Sequence, residues 1–346
     1  MMMKYFVGLD VALRSLALCL VDDSGKTVLE KALPCEVEDV ADCLREFGKP
    51  IEMVGFEAGT MSQHLYHGLS AEGFNVVCME ARQVSAALSA MRNKTDKNDA
   101  RGIAQVVRSG WYNPVHMKSR GSHYERALLA SRKTVLNKCL DLENEIRGLL
   151  KAFGIRLPKA IKRYNFDREV RCIIEADEGL SHALLPMLDA HGMLQQSFVE
   201  LDRRVKMRAR KDDVCARLMT VPGVGEITAL TFKAAIDDPA RFKSSRNVGA
   251  HFGLTPRRFQ SGEIDNLGRI SRAGDPNVRA ALFSAANSLL TRTSSYSSLK
   301  VWALRLMRTR GRRRATVALA RKLAVILHRM WVDGTEFRWN EMEAKA

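Results

Sequence analysis

Two short stretches, VGLDVA (Val7–Ala12) and VGFEAG (Val54–Gly59), constrain this chain most tightly. Each is an apolar, β-favouring run with a glycine, and each has one carboxylate set into it, Asp10 in the first and Glu57 in the second. Runs of this kind form strands covered on both faces. Burying an unpaired carboxylate in such a place is expensive. A fold that does so twice in the same setting must compensate both charges.

The surroundings read as α/β over residues 4–110. KYFVGLDVA and SLALCLVDD are strand-like, and DDSGK turns the second into a third, TVLEKAL. A helix, VEDVADCLREFG, ends at Gly48. The strand IEMVGFEAG, the helix MSQHLYHGLSAEG and the strand NVVCMEA follow. Three strands in a meander, then alternating strand and helix, predict a mixed sheet covered by helices. The last element, KTDKNDARGIAQVVRSG, has Thr95 as its N-cap and Ala100, Ile103, Ala104 and Val107 on one apolar face.

Residues 122–210 change character. Leu128, Val135, Leu142 and Leu149 fall seven apart, with Cys139, Ile146 and Phe153 interleaved. Met187, His191, Leu194, Phe198, Leu201 and Val205 step by four and three. Two heptad-like helices predict an antiparallel hairpin or an intermolecular coiled coil, broken around Pro158. From about residue 212 the chain is mostly helical, around a Gly- and Arg-rich loop region (Gly249–Gly274). Between Lys300 and Lys322 it carries nine Lys/Arg and no Asp or Glu.

The balance of 55 Lys+Arg against 39 Asp+Glu leaves a net charge of +16, which points to a polyanion, nucleic acid before membrane. With 346 residues, 46% of them apolar, the chain has material for two or three cored domains. No apolar run approaches the roughly 20 residues of a membrane span, and the first residues run into a strand, unlike a signal peptide. Seven cysteines without CxxC spacing read as reduced thiols in a cytoplasmic protein, with no zinc site. His64 and His67 lack matching ligands, so they read as surface or packing histidines, as does His251.

Asp96 and Asp99 stand three apart at a helix start and share a face. The helix dipole alone would tolerate them there. Together with Asp10 and Glu57, however, they form a set that could converge on one point. Four like charges gather only around divalent cations, and hard oxygen ligands suit Mg²⁺ or Mn²⁺. Such ions can clamp the attacking and leaving oxygens of a phosphoryl transfer.

VGLDVA, VGFEAG and above all NKTDKNDARGIA resemble the N-terminal motifs of the DEDD transposases of insertion-sequence family 110. That domain is similar to the RuvC Holliday-junction resolvases, on an RNase H-like fold. The resemblance implies that Asp10, Glu57, Asp96 and Asp99 bind metal. The expected fold class is α/β plus α. A RuvC-like domain over 1–112 is followed by a coiled-coil helical region over 113–211. A mostly helical transposase domain with a helix-hairpin-helix occupies 212–346.

In the C-terminal half, LMTVPGVGEITALTF (Leu218–Phe232) reads as two short helices joined by a glycine loop. Leu218, Val221, Ala229 and Phe232 pack between them, and Gly223 and Gly225 let loop amides approach a phosphate. It resembles the helix-hairpin-helix modules that grip nucleic-acid backbones. Beyond it, Arg257, Arg258, Arg269, Arg272 and Arg279 surround QSGE, with Ser261 before Gly262. Guanidinium forks suit phosphate oxygens. QSGE alone could be a simple β-turn. The segment resembles the family's C-terminal domain, in which a serine in this context is the nucleophile; that residue maps onto Ser261, with Ser271 in GRISRAGD as the alternative. Arg312, Arg313 and Arg314 read as a backbone-binding patch.

The resemblance, closest over 4–110 and 215–330, implies a recombinase that links covalently to DNA through a serine, with a bridge RNA pairing to donor and target. Homodimers, and tetramers at synapsis, are expected, on nucleoid DNA in the cytoplasm. Competing readings are a hydrolytic Holliday-junction resolvase, a DNA invertase and a non-catalytic nucleic-acid scaffold. An ATP-binding fold would need glycine-rich phosphate loops, and none follows residue 110.

Overall fold

The apolar runs of the first hundred residues form the meander that their spacing predicts. Strands β1 (Tyr5–Val11), β2 (Ser15–Asp22) and β3 (Thr27–Pro34) pair antiparallel in succession. After helix α1 (Val37–Glu46), strand β4 (Ile51–Glu57) joins β1 in parallel. Helix α2 (Ser62–Ala71) leads to β5 (Val76–Met79), parallel to β4, and then α3 (Ala81–Leu88) and α4 (Asp96–Ser109) follow. The sheet order is β3-β2-β1-β4-β5. The computed structural model describes residues 3–89, 93–158, 161–261, 264–294 and 297–339, with the main chain alone for Ser261, Ile264 and Leu267.

Alternation along β1 sorts the layers. Val7 and Leu9 are fully buried among Val40 and Leu44 of α1 and Leu65 and Leu69 of α2. On the opposite face Cys19 and Val21 of β2 meet Ala100 and Ala104 of α4. The sheet is therefore covered on both sides, as expected. Helix α3 was not anticipated; it is held through Val84, buried with Ile103 and Val107.

The chain divides into two compact units, Met1–Lys118 and Ser119–Ala346. The second opens with α5 (Arg120–Ala152), α6 (Phe166–Ile174) and α7 (Glu178–Arg210). Ion pairs Glu125–Arg208 and Arg132–Asp202, with the Glu143–His191 contact, tie α5 to α7 in antiparallel order. The hairpin alternative is thus the one realised within the chain. Its seam keeps part of the anticipated pattern, Cys139 and Ile146, and departs from it beyond them. Cys139, Ile146 and Leu150 are buried, whereas Leu149 is 40% and Phe153 62% exposed. Helix α5 ends before Gly154, whose φ of +72° takes the left-handed conformation typical of a helix stop, so the break precedes Pro158.

Phe166, Val170 and Ile174 of α6 close the far end of this pair against Ile146, Leu150, Leu184 and Leu188. Beside them the buried His191 imidazole contacts Asp167 through Nδ1 at 2.5 Å and Glu143 through Nε2 at 3.3 Å. Arg163 donates to the same Glu143 at 3.0 Å. The network satisfies polar groups that burial would otherwise penalise.

The rest of the unit comprises α8 (Asp213–Leu218), α9 (Glu226–Ile236), α10 (Arg246–His251), strands β6 (Pro256–Ser261) and β7 (Ile264–Ile270), α11 (Pro276–Thr291), α12 (Ser298–Arg310) and α13 (Arg312–Asp333). Leu218, Val221, Ala229 and Phe232 all enter its core, with Phe252, Leu282 and Leu323. The expected loop region instead contains an antiparallel β6–β7 ribbon. Its strands are largely polar and lack an apolar face, so periodicity gave no signal. Among the described residues no helix is long and apolar enough to cross a membrane, and all seven cysteines are free thiols.

Phe166→Ala should lower the stability of the second unit by about 3–5 kcal/mol, read by denaturant unfolding. Hydrogen exchange should show the loss at the far end of α5–α7 and leave the sheet's protection intact.

Candidate metal centre and nucleic-acid surfaces

The two strand carboxylates share one structural cause. On β1, Gly8 and Asp10 are two residues apart and face the same side; on β4, Gly55 and Glu57 repeat the arrangement. That side is the one covered by α4. A Cβ at Gly8 would lie 2.2 Å from the Ala104 amide nitrogen and 2.4 Å from the Ala100 carbonyl oxygen. A Cβ at Gly55 would lie 2.3 Å from Cγ2 of Val107. Each glycine admits the helix, and each acid stands one step beyond, towards the helix N-terminus. There Thr95 Oγ1 accepts the Asn98 amide hydrogen at 3.2 Å, capping α4 as predicted. Asp96 is exposed and Asp99 half-buried in that first turn.

Both strand acids sit in a costly electrostatic setting. The Asp10 carboxyl is pushed up to about 6, first by burial and then by the charges of Asp99, Asp96 and Glu57, with Lys94 opposing. Burial likewise raises Glu57; Lys94 opposes it and Asp99 adds to it. Yet among the described residues no three acidic, histidine or cysteine side chains close on a single point. The backbone assembles the set without drawing it onto one ion. A hard divalent cation suits the chemistry of this donor set: every member is a carboxylate, and positive charge would offset the burial and repulsion that together lift Asp10.

Glu30, on β3, escaped the sequence analysis because an acid on an edge strand reads as solvated. It accepts from Arg101 at 2.7 Å and pairs with Lys97 at 2.8 Å, and those cations hold its carboxyl below the usual range. Two α4 cations are thereby engaged on the outer side of the helix. A cavity of about 450 Å³ opens beside this cluster, lined by Asp10, Asp96, Lys97, Glu30, Ala12 and Ser15.

In the second unit the two glycines of the α8–α9 loop differ in role. Gly223 has φ +86°, and a Cβ there would sit 2.5 Å from the Ala285 carbonyl, so it is a packing glycine against α11. Gly225, at the start of α9, has open space around it. A recess of about 250 Å³ runs past both, lined by Thr228, Ser284, Asn287, Ser288 and Arg292. Arg312 donates to Asn287 Oδ1 at 3.0 Å near its edge.

The other candidate arginines divide. Arg258 forms a two-pronged pair with Asp265, both contacts at 2.7 Å. Arg279 donates to the carbonyls of Ala273 and Gly274 at 2.6 and 3.0 Å. Arg257 donates to the Ser271 carbonyl at 3.2 Å. Arg269, Arg272, Arg313 and Arg314 are exposed. Ser261 ends β6, paired with Ile264 at the start of β7, whereas Ser271 follows β7, its amide donating to Thr255 O at 2.9 Å. His64 faces Glu36 at 3.7 Å, His67 Nε2 lies 3.0 Å from the Lys118 carbonyl oxygen, and Arg241 donates to His251 Nε2 at 3.1 Å. All three histidines are surface or packing groups.

Comparison with known proteins shows what the chain as a whole is similar to. Residues 7–155 match a family model described as a transposase, and residues 215–302 one described as the transposase IS116/IS110/IS902 family. A Coxiella burnetii protein, the transposase for insertion sequence element IS1111A, is 29% identical over 329 residues, 93% of this chain and 88% of its own length. A Sinorhizobium fredii transposase, y4pF/y4sB, is 30% identical over 302 residues, covering 86% of this chain and 77% of its own. Among solved structures, Thermus thermophilus RuvC in complex with a Holliday junction is 15% identical, covers 33% of this chain and all of its own, and has a TM-score of 0.25, too slight to carry a conclusion. The molecule is a transposase, an enzyme that cuts and rejoins DNA. It belongs to the IS110 family of insertion-sequence transposases, as its motifs implied.

Asp10 titrates higher in the folded chain than in the unfolded one, so its ionisation opposes folding above about pH 6 and not below about pH 4. In metal-free buffer, Asp10→Asn should raise stability at pH 7.5 by about 1–2 kcal/mol after allowance for solvent screening. The gain should fade between pH 6 and 4 in urea titrations.

Proposed function

We propose that this transposase acts as a serine recombinase with a divalent-metal site formed by Asp10, Glu57, Asp96 and Asp99. The observation that supports the metal site is the packing of α4 on the sheet face that bears Asp10 and Glu57, where burial first, and then the charges of Asp99, Asp96 and Glu57, raise the Asp10 carboxyl. Mg²⁺ or Mn²⁺ bound there would supply the positive charge that a phosphoryl transfer needs at its oxygens. The chain's own contribution is rigidity: α4 and the two strands fix where the carboxylates stand. Glu30 keeps Lys97 and Arg101 engaged on the outer side.

In this reading the Ser261 hydroxyl oxygen displaces a sugar oxygen from phosphorus. The phosphodiester energy is thereby conserved in a protein–DNA linkage until a second strand's hydroxyl displaces the serine. The placing of Ser261 at the end of β6, and the family's serine in the same sequence context, favour it over Ser271. Gly225, Thr228, Ser284 and Arg292 line a recess whose size and polarity suit one backbone phosphate, and Gly223 holds that loop against α11. The exposed Arg269, Arg272, Arg313 and Arg314 offer further phosphate contacts, on DNA or on a guide RNA. The net charge of +16 is in keeping with both nucleic acids.

Assembly follows from the α5–α7 pair. Val135, Leu142 and Leu149 of α5 and Met187, Leu194 and Leu201 of α7 fall beside the buried seam and stay half-buried or exposed. A second copy would cover them, which supports a homodimer and, on two DNA ends, a tetramer.

Ser261→Ala should abolish covalent protein–DNA adducts while leaving DNA affinity within about two-fold; mass spectrometry of trapped wild-type adducts should find Ser261. An adduct on Ser271, or metal-dependent cleavage with no adduct, would refute the nucleophile. Asp10→Ala and Asp96→Ala should stay folded and lose Mg²⁺-dependent strand transfer; full recombination by either would refute the metal site.

A further inference from the structure

The reading above uses the β6–β7 ribbon only for the position of Ser261, and the ribbon has a feature of its own. Its strands pair with each other and with no other strand among the described residues. Arg257, Arg258, Phe259 and Gln260 on one strand and Asp265, Asn266, Gly268 and Arg269 on the other are all exposed. In their midst Phe259 is 64% exposed and lies outside the apolar clusters formed by the described residues. A large apolar ring among arginines and amides is an unusual element on a strand that supports no core. The Arg258–Asp265 pair spans the two strands beside it and stiffens the ribbon there.

We infer that Phe259 is a base-stacking side chain, its ring receiving an unpaired nucleobase of the nucleic acid that the ribbon approaches. Charge selects that occupant. Arg257 shares the Phe259 face of the ribbon by strand alternation, Arg258 and Arg269 add exposed positive charge to the same ribbon, and a polyanion with flat π faces suits both the charge and the ring. The register supplies the rest. Phe259 lies opposite Asn266, whose amide offers both a donor and an acceptor to a base edge. Two steps along the strand, about 7 Å at the usual rise, take the chain from Phe259 to Ser261, close to two steps of a nucleic-acid strand. The stacked base would therefore neighbour the phosphodiester assigned above to Ser261. That location rests on the nucleophile reading; the stacking does not.

The test uses the full chain and two DNA probes: a duplex with one unpaired 2-aminopurine nucleotide, and the same duplex fully paired. Binding of the wild type should quench the unpaired fluorophore. Phe259→Ala should lose the quenching and bind the unpaired probe about ten-fold more weakly, the size of one base–aromatic stack. The paired probe should change by less than about two-fold, and Phe259→Trp should retain quenching and affinity. Unchanged quenching in Phe259→Ala, an equal loss on both probes, or a shift of oligomeric state in DNA-free light scattering would overturn the inference. The last would mark the ring as a protein contact. Since the readout is binding alone, an adduct mapped away from Ser261 would remove the nucleophile reading and leave the stacking result standing.

Discussion

The first unit depends on one close contact, the backbone of α4 lying directly on the backbone of β1 at Gly8. Any side chain there would strike Ala100 and Ala104, and one at Gly55 would strike Val107. Because the helix is pressed so near, its first turn reaches the ends of β1 and β4. Asp96 and Asp99 thereby stand over the side of the sheet that bears Asp10 and Glu57. The Gly-x-acid pattern on both strands is thus a single device: the glycine seats the helix, and the acid two residues later faces the same side of the sheet. Burial and repulsion both raise Asp10, so the arrangement is costly when unoccupied by positive charge.

Cations are divided with equal economy. Glu30 engages Lys97 and Arg101, so these side chains do not neutralise the acids of their own helix. In the second unit several arginines that the sequence marks as phosphate ligands serve the fold: Arg279 holds the Ala273–Gly274 carbonyls and Arg258 bridges the ribbon. Buried charges are likewise tied within helix pairs, as with Glu125, approached by Lys233 and Arg208. What stays on the surface is an excess of exposed arginine, in keeping with an enzyme that cuts and rejoins DNA.

Much of this was legible in the residues. The β1–β5 elements, the mixed sheet, the Thr95 cap and the apolar face of α4 all followed from periodicity and capping chemistry. The acids were nameable because carboxylates in apolar strands have few explanations. Three things were not legible. The seam of the α5–α7 pair keeps Cys139, Ile146, His191 and Val205 of the predicted series, but Leu150 replaces Leu149 and Phe153 in it, and the half-buried Glu143 that contacts His191 has no hydrophobic spacing to mark it. The β6–β7 ribbon has no apolar face, so nothing in its pattern distinguished strand from loop. Glu30 acts through the tertiary approach of α4 to β3, which no local spacing encodes.

The central claim, that the four acids together hold a divalent cation, is tested most directly by calorimetric titration of the full chain with Mn²⁺ at pH 6 in buffers of different ionisation enthalpy. The account predicts binding accompanied by proton release from Asp10, weakened at least ten-fold in each of Glu57→Gln and Asp99→Asn. Binding without proton release, or with affinity untouched by both substitutions, would contradict it.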